Sequence, residues 1–564
     1  MRSNVEDILS APVCIIGTGV AGIISAHVLI QDGFKDVTLI SRDKGVGGVW
    51  SKERVYEGLR TNSVHGEYRF SALDMKLVDP DKRERDHRLT GEHLCHYMEE
   101  YAQRFLAGKV KYMFQSDVKK LRREDDGKWL ATVQDMVDGS SKELSFARVI
   151  VASGGTHSPK IPAALSSSSA QLSGFEGRLF HSSDFAKEEP TLPPPTSNEK
   201  RTVSCVVVGG GKSAQDLSAL MTRKGYAVTI VYEHLDVFFA SDRPVPDFVR
   251  KGRLLSVLSP YRELNTKLER FFHTTPIGAT LVKKFWESLV QGSRSACGVP
   301  ENSPLRLTPD AFWSISNNDE GIPRPDGFPA LVNQGRLTVA APFRATGFSK
   351  AGVLITDGRC LAADIVILAT GYESSWSMFD GEMVEELGLA PYMSKDGLHD
   401  RWNYATLKDG PTPHPESDAW TMSIYRGIVP AKNILRRDFA LAGALYTINP
   451  GYTFEVAAHW TSSYFLGDKM RLPATAEEAA AEAEDVINFG KVRFPQTPFW
   501  RHGSGGVTPD AWTWPQAADE LLEDMYLETR RSGGNWLNWV IKAINVDELC
   551  NIGDERRRIR EASC

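Results

Sequence analysis

Three glycines, in Gly17-Thr18-Gly19-Val20-Ala21-Gly22, directly follow a short apolar run from Val13 to Ile16. That spacing can cradle a phosphate. Gly17 permits a tight turn, Gly19 lets backbone approach a pyrophosphate, and Gly22 allows a helix to pack close to the strand. A phosphate held there faces a helix N-terminus, where unpaired N–H groups and the macrodipole favour negative charge. Glycine turns also serve as plain structural corners, so the flanking elements decide. The apolar run is rich in β-branched residues and reads as a buried strand. Ile24, Val28 and Leu29 mark an amphipathic helix, and Val37 to Ile40 a second strand. Together they make the βαβ unit in which the glycine pattern carries meaning.

The arrangement recurs. Val203 to Val208 is apolar, Gly209-Gly210-Gly211-Lys212-Ser213-Ala214 is the turn, a helix opens at Ala214, and Val228 to Tyr232 supplies the next strand. Ala214 stands in the third position, which close packing also accepts. The acid that holds an adenosine ribose belongs roughly 20 residues beyond each turn. After the first turn Ser41 stands there, with Asp43 near enough to substitute. After the second it is Glu233, which suits a free 2′-hydroxyl; Lys212 or Arg243 would have to meet a 2′-phosphate.

A length of 564 residues suggests three or four domain-sized units. The net charge of −6 gives no electrostatic reason to expect nucleic acid. The run Arg556-Arg557-Arg558 with Arg560 is interleaved with Glu555 and Glu561 and reads as a solvated helix end. Seven cysteines are scattered singly, which fits a reducing compartment rather than a disulfide framework. No metal-ligand spacing is read. The N-terminal MRSNVEDILSAP lacks a signal-peptide pattern, and no apolar run reaches spanning length. A soluble, cytoplasmic protein is expected.

Along the remaining chain, Thr90 to Leu106 reads as a helix with an imperfect cap. Lys111 to Val133 and Leu144 to Ala152 read as strands around a charged turn, and Val149 to Gly155 as a strand entering a glycine turn. Ser166 to Ser169 and the Pro-rich Glu188 to Lys200 read as exposed connectors. Helical patterning covers Pro260 to Val290, and Leu337 to Ile355 is strand-like. Asp364 to Leu368 feeds Ala369-Thr370-Gly371-Tyr372, a strand-to-glycine turn like the earlier one. Thr475 and Glu478 form a capping box, and Trp512, Trp514, Trp536 and Trp539 are expected to pack on the body.

Together these motifs resemble the class B flavoprotein monooxygenases, in their flavin-containing-monooxygenase-like branch, over roughly residues 11 to 450. The most diagnostic piece is F-x-G-x-x-x-H-x-x-x-(Y/F), matched by Phe175, Gly177, His181 and Phe185. Baeyer–Villiger relatives resemble one another in having Trp at the last position, so Phe185 favours the heteroatom-oxidising branch. Gly47-Gly48-Val49-Trp50 is similar to the family's flavin loop, as is Leu59-Arg60-Thr61-Asn62. Phe70-Ser71 with Met75 is similar to the stretch that follows.

The resemblance implies an α/β fold with two Rossmann-like dinucleotide-binding domains. The NAD(P)H domain is inserted into a discontinuous FAD domain, and a helical or irregular C-terminal extension follows. The expected boundaries are 1–165 and 346–455 for FAD, 166–345 for the nicotinamide coenzyme, and 456–564 for the extension. FAD is expected against Gly17, Gly19, Gly22, Ser41, Asp43, Gly47, Gly48, Trp50, Thr61 and Asn62. The late Thr370-Gly371 segment returns the chain to it. The coenzyme, NADPH with NADH left open by Glu233, is expected against Gly209, Gly211, Lys212, Ser213, Ala214 and Glu233. Asn62 is the expected catalytic residue, beside the flavin edge where oxygen adds.

The implied activity is transfer of one oxygen atom from a flavin C4a-hydroperoxide to a small organic substrate at nitrogen or sulfur. Partners are that substrate and O2, with room for a homodimer. Baeyer–Villiger insertion is the alternative, but it needs a cation near the flavin, and the sequence identifies none. A non-oxygenating flavin oxidoreductase and a non-catalytic nucleotide-binding module also stay open, the latter because of Ser41. The absence of C-x-x-C or C-x-x-x-x-C argues against a disulfide reductase. Phe238, Phe239, Trp313, Trp376, Tyr425, Tyr446 and Trp460 stand in the variable regions and are read mostly as core. Such a large aromatic part is compatible with a bulky specialised metabolite.

Overall fold

The computed structural model describes residues 2–76, 86–196, 201–373, 376–390, 400–415, 423–497, 510–536 and 538–563. The first apolar run is β1 (Val13–Ile16), followed by α1 (Val20–Gln31) and β2 (Val37–Ile40). These strands lie in a five-stranded, wholly parallel sheet. Its order is Phe439–Leu441, Arg148–Val151, β1, β2, Lys111–Met113. β1 and β2 are buried at every position, which is why their sequence is continuously apolar rather than alternating. Neighbours on opposite sides of β1 come from opposite chain directions, which opens a crevice at its carboxyl end. α1 departs from the amphipathic expectation. It is buried from Val20 to Leu29, because helix Pro450–Leu466 covers the side turned away from the sheet. Beyond the crevice, β3 (Arg60–Val64) leaves the sheet and pairs with Arg88–Thr90.

The second unit begins with β4 (Ser204–Val208), α2 (Lys212–Arg223) and β5 (Ala227–Val231). It continues through β6 (Asn317–Gly321), β7 (Thr338–Ala340) and β8 (Ile365–Leu368). Its sheet is again five-stranded and parallel, in the order Arg178–His181, β8, β4, β5, β7. β6 stands apart and pairs with Val237–Ala240. The place of β8 moves the expected boundary at 345/346. Asp364 accepts from both the amide and the hydroxyl of Ser204, at 2.8 and 2.7 Å, and β8 lies between β4 and Arg178–His181. The chain therefore leaves the second unit only after β8.

Four local expectations change. Ser166 to Ser169 is a capped start rather than a bare connector: Ser166 accepts from Ser169 N–H and opens helix Ser167–Leu172. The basic tail is a solvated end only in part, with Arg557 and Arg558 exposed. Arg556 is buried, 2.8 Å from Asp32 and bonded to Ser463, and Arg560 pairs with Asp468 at 2.5 Å. Trp514 packs at 5.4 Å from Tyr452, but Trp536 stands exposed. Thr90 caps its helix in a full box with His93. Residues 197–200 of the Pro-rich connector, and Cys564, lie outside the described residues. Among the described residues, no helix is long and apolar enough to cross a membrane, and no cluster could hold a metal.

Candidate functional site: two glycine cradles and a buried ionic joint

Gly17 has φ +118°, and a Cβ there would sit 2.3 Å from the Ala152 carbonyl; one on Gly22 would sit 2.1 Å from the Gly17 carbonyl. Both positions are closed to any side chain. Gly19 has φ −76°, so its need is different. It heads α1 without a side-chain cap, leaving the helix amides open to an anion. The Gly47–Trp50 turn closes over it. Gly47 N–H donates to Thr18 O at 2.9 Å, and a Cβ on Gly48 would come within 2.9 Å of Gly19 Cα. Between them lies a cavity of about 460 Å³, which Ser41, Asp43, Trp50 and Tyr68 also line. The Ser41 hydroxyl accepts from Asp43 N–H at 3.2 Å, and the Asp43 carboxylate is held by Arg54 at 2.7 Å. Of the two, Asp43 is the one that presents an acid to this cavity.

The second turn repeats the first. Gly209 has φ +135°, and its Cβ would lie 2.3 Å from the Ala369 carbonyl; one on Gly210 would lie 2.0 Å from His234 O. Gly211 heads α2, again without a side-chain cap, and Ala214 is fully buried while Ser213 is exposed. Lys212 bonds Asp216 at 2.7 Å. Glu233 pairs with Arg344 at 2.5 Å, and Arg243 lines a different cavity. Thr370 and Gly371 stand where the chain leaves the second unit. They follow β8 at the second turn and bond Lys160, Thr370 Oγ1 donating to its carbonyl at 2.5 Å.

Thr61 and Asn62 lie in β3, outside the lining of the first cavity. The Thr61 hydroxyl exchanges two 2.8 Å bonds with the Ser63 backbone. Asn62 Oδ1 accepts from Asp319 N–H of β6 at 3.2 Å, and its carbonyl accepts from Arg88 at 3.0 Å and Arg250 at 2.5 Å. Both guanidiniums also hold the Asp319 carboxylate, Arg88 bonds Asp86, and Arg250 bonds buried Glu67 at 2.6 Å. Burial pulls the Arg250 pKa down, but Glu67 and Asp319 more than reverse it; the two arginines keep Asp319 below the usual carboxylate range despite burial. Sequence reasoning missed Glu67, Arg88, Arg250 and Asp319, since no motif links positions so far apart. Beside this joint lies a cavity of about 980 Å³, reached by Arg88, Arg250 and Asp319 and walled by Phe239, Trp286 and Trp512.

The fingerprint residues are structural. Phe175 stacks on Phe348 at 5.3 Å, Phe185 is buried edge-on to Tyr56 at 4.8 Å, and buried His181 packs edge-on to Tyr372. Burial lowers the His181 pKa. Ser71 of the F-S stretch donates its amide and hydroxyl to Glu455, whose carboxyl burial pushes up to about 7.

Paired dinucleotide turns on two parallel sheets define a nucleotide-dependent oxidoreductase. A family model for pyridine nucleotide-disulphide oxidoreductase matches residues 11–252. The FAD-dependent monooxygenase DEP4 of Alternaria brassicicola is 27% identical, over 98% of this chain and 96% of its own. The FAD-dependent monooxygenase rstn6 of Aspergillus nomiae is 26% identical, over 84% and 86%. Cyclohexanone monooxygenase from Rhodococcus sp. Phi1, bound to NADP+, shares the fold with a TM-score of 0.55 at 17% identity, covering 92% of this chain and 98% of that one. The resemblance carried by the motifs holds: over most of its length the chain is similar to proteins named FAD-dependent monooxygenases.

Proposed function

We propose that the chain is an FAD- and NAD(P)H-dependent monooxygenase that oxygenates a bulky, largely apolar substrate at nitrogen or sulfur. The residues of the first cavity fit FAD: open α1 amides for the pyrophosphate, glycines whose Cβ would fill the approach, and Asp43 for the ribose. Bound there, FAD would supply the redox chemistry and the activation of O2. The chain's own residues do the rest. With its Oδ1 bound to Asp319, Asn62 has its amide NH2 as the end left to donate, and we assign it to the reacting centre. The 980 Å³ cavity beside the same strand takes the substrate, with Phe239, Trp286 and Trp512 excluding water.

The observation that carries this reading is the joint itself. Asn62 is held simultaneously from the first unit, by Arg88, and from the second, by Arg250 and Asp319. Those arginines are also the cations that ketone insertion would require. Each is already matched by carboxylates of Glu67, Asp86 and Asp319, which favours heteroatom transfer. The six described cysteines are free, in keeping with a cytoplasmic setting. Amines, thioethers and cyclic ketones, offered in turn, test the reading. NAD(P)H, O2 and oxygenated product should stand in equal amounts with a nitrogen or sulfur substrate; peroxide alone, with every class, would exclude oxygenation.

A further inference from the structure

The second cradle carries an acid where a phosphate-recognising cation would be expected, and that acid is not alone. β5 and β7 run parallel, with Val231 opposite Ala340. The ladder continues past both strands: Tyr232 N–H donates to Ala340 O at 3.2 Å, and Phe343 N–H to Tyr232 O at 3.0 Å. Glu233 and Arg344 therefore emerge side by side at the carboxyl edge of the sheet, where dinucleotide riboses bind. Arg344 Nε meets Glu233 Oε2 at 2.5 Å, with the two side chains 71% and 40% exposed. An exposed pair of this kind is cheap to open. The cations proposed from sequence are placed elsewhere: Lys212 is held by Asp216, and Arg243 lines the large cavity.

We infer that Glu233 and Arg344 form a coenzyme selector, in which Arg344 takes a ribose 2′-phosphate and Glu233 accepts from an unphosphorylated 2′-hydroxyl. A guanidinium can grip a phosphate bidentately, and the departing acid then faces solvent. With NADH the pair keeps its contact while Glu233 Oε1 is left to accept. The inference rests on the reading that this turn takes a dinucleotide.

Calorimetric titration of the full-length protein with 2′,5′-ADP and with 5′-ADP tests it without turnover. Arg344→Gln should weaken 2′,5′-ADP about tenfold or more and leave 5′-ADP nearly unchanged. Glu233→Gln should tighten 2′,5′-ADP and weaken 5′-ADP. Both side chains are exposed, so both variants should fold. An unchanged ratio of the two affinities in Arg344→Gln would overturn the selector while leaving the cradle intact. Failure of the unaltered protein to bind either nucleotide would overturn both.

Discussion

The two glycine cradles are built alike at their base and differ at their rim. In each, a leading glycine of positive φ lies with its missing Cβ 2.3 Å from an alanine carbonyl, Ala152 in one and Ala369 in the other. In each, a helix starts without a side-chain cap. Only the first has a second glycine turn folded onto it, Gly47–Trp50, closing a cavity over the helix start. At the second, Ser213 is exposed and Glu233 and Arg344 form an open ion pair. A covered cradle suits a resident group and an open one suits a coenzyme that exchanges each turnover.

The largest expected effect breaks the two cradles separately. A side chain at Gly22 meets the Gly17 carbonyl at 2.1 Å, and one at Gly210 meets His234 O at 2.0 Å. Neither obstacle is a flexible side chain. Gly22→Val should yield a colourless protein, read from the flavin absorbance after purification. Gly210→Val should stay yellow and lose NADP+ binding in titration. If both variants lose colour equally, the division into resident and exchanging sites is wrong.

Next in size is the joint between the units. Asp319→Ala leaves Arg88 and Arg250 sharing only Asp86 and Glu67, and breaking such a buried pair costs about 3–5 kcal/mol. The midpoint of chemical denaturation should fall accordingly. Asn62→Ala asks less of stability and more of chemistry. Loss of one preorganised donor at a reacting centre costs about 3 kcal/mol, or roughly 100-fold in turnover. Flavin content should be unchanged while product formation falls and peroxide rises. Equal turnover in the variant would remove Asn62 from the reacting centre.

Both cradles were legible in the sequence because their constraints are local: glycine spacing and flanking apolar runs lie within one βαβ unit. The likeness between the turn after Val151 and the turn after Leu368 was legible too. That each turn backs the glycines of its own sheet was not, because only strand pairing reveals that β8 neighbours β4. The ionic joint draws on positions 62, 67, 88, 250 and 319, and Arg344 meets Glu233 from a separate strand. Chain reversals over such distances leave no periodic trace. Arg556 misled for a related reason. Its neighbours in sequence are charged, but its neighbours in space are Asp32 and Ser463.

The smallest effect concerns the acids that accompany each cradle. Glu233 is exposed, so solvent screens its pair with Arg344, and its removal should change stability by about 0–1 kcal/mol. Glu455 is buried beside Phe454, which lines the first cavity, and it accepts two bonds from Ser71. Burial raises its pKa to about 7, above the ordinary glutamate value. A group whose pKa is higher folded than unfolded contributes stability at low pH, and loses it as pH climbs from the unfolded to the folded value. Between about pH 5 and 7.5 this single carboxyl should lower stability by about 2 kcal/mol. Glu455→Gln keeps the amide-sized group neutral throughout, so its unfolding midpoint should fall less over that interval than that of the unaltered protein. Parallel pH profiles for the two would mean that Glu455 is already ionised in the fold, and that Ser71 outweighs its burial.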